Sequence, residues 1–167
     1  MGLINGTVTL ENKYNIWKIM FENEKDNLIK LFNQDTFQIE HVGSTAVKGL
    51  FAKPIVDIAI GVASFSDIDK YMDVLKTIYT VKISNEEILL IKENQEETFF
   101  LIHILISDNK RYKDMIKFRD ILINNPKILK EYENLKIKLL NMYSNDRKMY
   151  TKSKNNYIQE ILENINS

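Results

Sequence analysis

Apolar residues between Glu11 and about Phe32 fall at Tyr14, Ile16, Trp17, Met20, Phe21, Leu28, Leu31 and Phe32. Much of that spacing is three and four residues, the period of one helix face, and it predicts an amphipathic helix. Asn33-Gln34-Asp35 is expected to end it. The period then changes. Phe37, Ile39 and His41 alternate with Gln38 and Glu40, a half-buried strand pattern. Gly43 to Lys53 reads as a loop of small residues with room for a short helical turn. Pro54-Ile55-Val56-Asp57-Ile58-Ala59-Ile60 is nearly all apolar and β-branched, so it predicts a central buried strand with Pro54 at its first position.

Helical spacing returns at Ile68, Tyr71, Met72 and Leu75, giving a helix over 66–78 with Ser66 as its N-cap. Two short strands are expected over 81–91, around the Ser84-Asn85 turn. Thr98 to Ile106 reads as a second buried strand. The remainder is helical. Lys110 to Ile123 forms one segment, and Asn124-Asn125-Pro126 breaks it. Pro126 suits the first turn of the next helix, which runs through Tyr132 and Leu139. A polar break near Ser144-Asn145 precedes a last helix through Tyr150 and Ile158. The Lys-rich stretch from Lys127 to Lys138 reads as a solvated face carrying Glu–Lys pairs. Interleaved helices and strands followed by a helical cap predict one α/β (α+β) domain over residues 1–167.

Composition narrows the function classes. Lys plus Arg is 23 and Asp plus Glu is 23, a formal charge of zero. The chain as a whole lacks the broad basic face of non-specific nucleic-acid binding, although a local patch is compatible with overall balance. With no cysteine there is no disulfide, thiolate metal site or cysteine nucleophile. No basic start followed by an apolar run opens the chain, and no stretch approaches the roughly 20 apolar residues that span a bilayer. A cytoplasmic protein without membrane contact is the expectation.

The candidate chemistry lies in Glu40 to Gly61, EHVGSTAVKGLFAKPIVDIAIG. Gly43 permits a tight turn and a close backbone approach. Ser44 and Thr45 follow with two hydroxyls and several N–H groups, the makings of an anion-binding concavity. Lys48 and Lys53 add cations. Asp57 sits in mid-strand, where an unpaired charge is very costly, so it requires a partner. His103, on the other buried strand, is the only ionisable residue between Phe99 and Ile106. If those strands are neighbours, Asp57 and His103 lie side by side, and His41 at the end of the first strand could bring both histidines onto one carboxylate. A mixed site of His41, Asp57 and His103 would suit Zn²⁺, Mn²⁺ or Fe²⁺ better than Mg²⁺. Arg119 and Asp120 lie mid-helix among apolar residues. Arg119 either reaches the pocket or clamps the helical cap to the sheet.

Val42-Gly43-Ser44 followed by Asp57-Ile58 resembles the nucleotidyltransferase signature. The longer string HVGSTAV-x-GL-x-AKPIVDI resembles the GrpB family closely. Tyr14, Trp17, Phe21 and Glu24 look like that family's N-terminal helix. His103, Phe118-Arg119-Asp120-Ile121-Leu122, Pro126, Glu131-Tyr132, Leu135-Lys136, and Tyr150, Lys154 and Ile158 look like its later elements. The resemblance implies a polymerase-β-like fold, a mixed twisted sheet with packed helices and a C-terminal helical cap. It also implies that Gly43-Ser44 binds nucleotide phosphates, and the residue reading adds Thr45, Lys53 and Arg119 as candidates beside that site. Asp57, with His103, would hold Mg²⁺ or Mn²⁺, and ATP or another nucleotide would be the cofactor. The superfamily's two-metal chemistry uses two acids one residue apart and a third from a neighbouring strand. Here Ala59 follows Asp57, and His103 stands where a third acid would be. Two readings stay open. One is transfer of a nucleotidyl or phosphoryl group to a small molecule, with His41 or His103 as base. The other is a non-catalytic nucleotide- or phosphometabolite-binding module that assists folding or regulation of a partner protein.

Overall fold

The computed structural model describes residues 2–33 and 37–165. In chain order the elements are strand β1 (Leu3–Ile4), helix α1 (Tyr14–Phe32), β2 (Gln38–Val42), a single 3-10 turn (Ser44–Ala46), and β3 (Val56–Val62). Then come α2 (Ser66–Asp69), α3 (Met72–Ile78), β4 (Thr80–Ile83), β5 (Ile88–Glu93), β6 (Glu97–Ile106), α4 (Lys110–Asn124), α5 (Pro126–Tyr143) and α6 (Arg147–Asn164). This is the mixed α/β class that the alternation of periods predicts.

The strands form one mixed sheet in the order β2-β3-β6-β5-β4. β3 and β6 are parallel neighbours, and the other pairings in that path are antiparallel. β1 adds to the end of β6, pairing Leu3 with Thr98. Side chains alternate across the sheet. Val56, Ile58 and Ile60 of β3, with Phe100, Ile102 and Ile104 of β6, face α1, α2 and α3 and form the main core with Trp17, Phe21, Leu28 and Phe32. Asp57, Ala59, Leu101, His103 and Leu105 occupy the opposite face. There Val42, Ala59 and Leu105 pack on Tyr112 of α4. Val47 and Leu50, from the loop after β2, pack among α4, α5 and α6.

Several boundaries differ from the sequence expectation, each for a local reason. α1 starts at Tyr14 because Glu11 is held in a two-way bridge with Ala52. Asn33 ends it in the left-handed conformation, with φ of 46°, while Gln34 and Asp35 lie outside the described residues. β3 begins at Val56, two residues after Pro54, which lies in the bend before it. The expected helix over 66–78 is two helices. Tyr71 turns inward at the break, its hydroxyl donating to the Phe32 carbonyl at 2.5 Å and its ring edge-on to Phe32. Ser66 is not a cap. The Ser64 N–H instead donates to Asp67 Oδ2 at 3.0 Å. Pro126 opens α5 as expected, and Asp146 caps α6 by accepting from the Met149 N–H at 2.9 Å. No helix among the described residues is long and apolar enough to cross a membrane.

The core holds one charged knot. Glu24 of α1 is 2% exposed. It accepts from the Tyr79 hydroxyl at 2.7 Å and from Lys92 Nζ at 2.6 Å. Breaking a buried pair costs more than its net worth, because the remaining polar groups lose their partners. Glu24→Ala is expected to destabilise the fold by about 2–4 kcal/mol in urea unfolding, whereas Lys92→Met, whose side chain is partly solvated, should cost less.

Candidate functional site

β2 hands the chain to the site at Val42, whose Cα faces that of Asp57 across the β2–β3 ladder. Gly43 comes next, with φ of 72°. A Cβ on Gly43 would lie 2.6 Å from Asp57 Oδ2. Glycine is therefore required twice, for a left-handed turn and for passage directly over the carboxylate. Ser44, at the start of the 3-10 turn, lies beside Tyr132 of α5. Thr45 is buried, and its Oγ1 lies 3.0 Å from His41 Nε2.

The register places Leu101 opposite Asp57 and His103 opposite Ala59. One step along the shared face brings His103 Nε2 to 3.7 Å from Asp57 Oδ1, an ion-pair distance longer than a hydrogen bond. His103 Nδ1 meets Glu87 Oε1, and the Arg111 Nη1 donates to Glu87 Oε2 at 3.0 Å. Asp57, His103, Glu87 and Arg111 thus form a line of alternating charge. Burial pulls the His103 pKa down, but the two carboxylates outweigh it and raise it to about 9. Burial pushes Asp57 up, and His103, Lys154 and Lys53 more than offset it, so its carboxyl titrates below the usual range. Near neutral pH the line is fully ionised.

Beside it opens a cleft of about 1320 Å³. Its floor includes Ile55, Leu89 and Leu101, and its walls come from α4, α5, α6 and the Gly43–Lys53 loop. Nine of its lining residues are Lys or Arg and four are Asp or Glu, so a chain of zero net charge carries a cationic cleft. Lys53, Lys136, Lys154 and Arg147 gather at the Asp57 end. Lys53 Nζ lies 5.5 Å from the Tyr150 ring centroid, and Lys136 Nζ lies 4.9 Å from that of Tyr132. Lys136 is buried and donates to the Phe51 carbonyl. Burial first, and then the charge of Lys154, lowers both Lys53 and Lys136 to about 7. Burial lowers Lys154 as well, against the pull of Asp57. The Tyr150 hydroxyl is buried and has no hydrogen-bond partner among the described residues.

The model of the family described as "GrpB protein" matches residues 7–164. The chain belongs to the GrpB family. It is 35% identical to the glutamate-rich protein GrpB of Alkalihalophilus pseudofirmus, over 99% of each chain. It is 29% identical to a UPF0157 protein, BH1888, of Halalkalibacterium halodurans, covering 98% of this chain and 85% of that one. The crystal structure of the conserved protein GrpB from Enterococcus faecalis superposes with a TM-score of 0.81 at 24% identity, covering 95% of this chain and all of the other, which establishes the shared fold.

In this GrpB chain the structure brings Gly43, Ser44, Thr45, Lys53, Asp57 and His103 to one cleft. It does not bring His41 there. His41 faces Ile58, on the opposite side of β3 from Asp57. It stacks on Phe21 at 4.8 Å, and burial lowers it to about 4, so it is a neutral strut under the Thr45 turn. Arg119 also stays outside. Its Nη1 donates to Glu40 Oε2 at 2.6 Å and to the His41 carbonyl at 3.0 Å, which clamps α4 to β2. The His41–Asp57–His103 metal site is therefore not assembled. Both ring nitrogens of His103 face carboxylates, and a protonated imidazole has no lone pair for a metal. No group of three His, Cys, Asp or Glu among the described residues is arranged to hold a metal ion. This donor set does not fit a two-metal centre.

Sequence reading missed Glu87, Tyr132, Lys136, Arg147 and Tyr150. Lys136, which the Lys127–Lys138 stretch presents as solvated, is buried. One signal was present. Tyr132 with Lys136, and Tyr150 with Lys154, share a four-residue spacing that puts each pair on one helix face.

Two outcomes are expected. Because the folded pKa of His103 lies above the ordinary value of about 6.5, its pairing stabilises fully below that value. The contribution is lost as pH rises through about 9. The difference in urea midpoint between the natural protein and His103→Gln should shrink across that window, and an NMR titration of Glu87→Gln should show His103 moved toward its ordinary value. Gly43→Ala should cost about 1–3 kcal/mol, from positive φ and overlap with Asp57, measured by the same unfolding.

Proposed function

We propose that this protein binds a phosphorylated small molecule, a nucleotide or a phosphometabolite, with its phosphate end at the Gly43-Ser44 turn and the Lys53, Lys136 and Lys154 group. The observation that carries this reading is the clustering of those lysines around one carboxylate that His103 already neutralises. Like charges drawn together in a part-buried cleft are costly unless an anion meets them. The apolar floor at Ile55, Leu89 and Leu101 gives the body of such a ligand a surface to cover.

The fold is nucleotidyltransferase-like in arrangement, with the Gly-Ser turn running into an acidic strand. Two-metal nucleotidyl transfer asks for further acids, and Ala59 and His103 occupy those places. His103, protonated near neutral pH, is an acid or an electrostatic anchor and not a base. Binding without turnover therefore suits the site better than transfer, and a ligand-responsive module could assist the folding or regulation of a partner protein.

A thermal-shift panel of ATP, ADP and inorganic phosphate, run beside a chromatographic assay for nucleotide consumption, tests this. A ligand that binds only the native state stabilises it by about 1.4 kcal/mol at ten times its Kd, or roughly 3–6 °C for a chain of this size. Saturable stabilisation without consumption is expected, reduced in Ser44→Ala and Lys53→Met. Nucleotide turnover that disappears in Asp57→Ala would replace this reading with the transferase one.

A further inference from the structure

The cleft's charges can be followed group by group. Asp57 and Glu87 are matched by His103 and Arg111, so that line sums to zero. Glu133, which attracts Lys136, is itself paired with Lys130 at 2.7 Å. Among the described residues no direct ion pair joins Lys53, Lys136, Lys154 or Arg147 to any carboxylate. Lys154 acts on both Lys53 and Lys136 with like charge, and Arg147 acts on Lys53 and Lys154. These four cations come from three separate parts of the fold: the loop before β3, α5, and α6.

Nor are they loosely placed. Lys136 is held by the Phe51 carbonyl, and Lys53 is held over the Tyr150 ring. The Tyr150 hydroxyl, on the same wall, is a buried donor with nothing to donate to. A buried hydroxyl without a partner is costly, because it has given up water for nothing in return. Unmatched cations and an unmatched donor point to the same kind of guest, one rich in negative oxygen acceptors.

We propose that Lys53, Lys136, Lys154 and Arg147, with the Tyr150 hydroxyl, form a seat for a diphosphate group that binds directly on the protein's own cations, with no metal ion between. The inference rests on the phosphorylated-ligand reading above and adds the ligand's charge and its independence of a metal. Beside an anion Lys53 and Lys136 regain the charge that burial and crowding reduce, and a single phosphate, at about −1.5 to −2 near neutral pH, would leave roughly half of the four cations unmatched. A terminal diphosphate, at about −3, comes closer to balance. A divalent ion would add positive charge to a cluster that already repels itself, and the one carboxylate at hand is taken by His103.

Calorimetric titration with inorganic pyrophosphate and with inorganic phosphate, each in EDTA and again in excess Mg²⁺, tests the seat. Pyrophosphate is expected to bind in EDTA about tenfold or more tightly than phosphate, and Mg²⁺ should weaken it by masking its charge. Lys53→Met and Lys154→Met should each weaken pyrophosphate about tenfold while raising the thermal midpoint of the ligand-free protein, because each removes a like-charged neighbour. A purely structural lysine would lower that midpoint. If one variant does not fold, the other decides. Pyrophosphate binding that needs Mg²⁺, or that both variants leave unchanged, or variants that lose midpoint and affinity together, would overturn the metal-free seat while leaving the phosphorylated-ligand reading in place. If neither pyrophosphate nor ATP binds with or without Mg²⁺, that underlying reading falls as well.

Discussion

The Asp57 carboxylate lies within the otherwise buried run of β3, and its charge has to be met from inside the protein. Much of the site's geometry follows from how this is done. The residue that follows β2, Gly43, must have no side chain, because the chain passes within contact of the carboxylate there. β6 must run parallel beside β3, in the register that sets His103 one step from Asp57. The turn before β5 must then supply Glu87 to His103, and α4 must supply Arg111 to Glu87. Each member is needed by the one before it. Charge satisfaction thus spreads from the middle of the sheet to the β4–β5 hairpin and on to the first turn of α4.

The two sides of the sheet are used differently. α1, α2 and α3 seal one side with a continuous apolar core, so that side fixes stability. The other side is half covered and holds the cleft. Even the polar groups divide this way. Glu24 and His41 sit on the sealed side and serve the fold, while Asp57 and His103 sit on the open side. Zero net charge over the chain conceals this separation, because the acidic residues that balance the cleft lie elsewhere on the surface.

The alternation of periods gave the order of helices and strands, and the Glu40–Gly61 segment located the turn and its carboxylate. Local chemistry is written locally, so Gly43 and Asp57 were readable together. His41 was misplaced by a single alternation. A strand-end histidine looks free to swing, but its Cα partner Ile58 commits it to the other side. Glu87 was invisible for another reason. It is one acid among several in a polar hairpin, and only the pairing of β5 with β6 brings it to His103. Lys136 was misjudged because a lysine among Glu and Lys on a helix usually faces water. Its burial comes from the Val47 and Leu50 loop docking on α5, which is a tertiary event.

That docking fixes how the cleft can behave mechanically. The loop that forms one lip is joined to α5 by the Lys136 bond to the Phe51 carbonyl, and its Val47 and Leu50 pack in one cluster with Tyr132 of the same helix. Lip and wall therefore travel as one rigid piece. Swinging α5 away from the sheet would drag the Gly43 turn off Asp57 and break the charge line at its root.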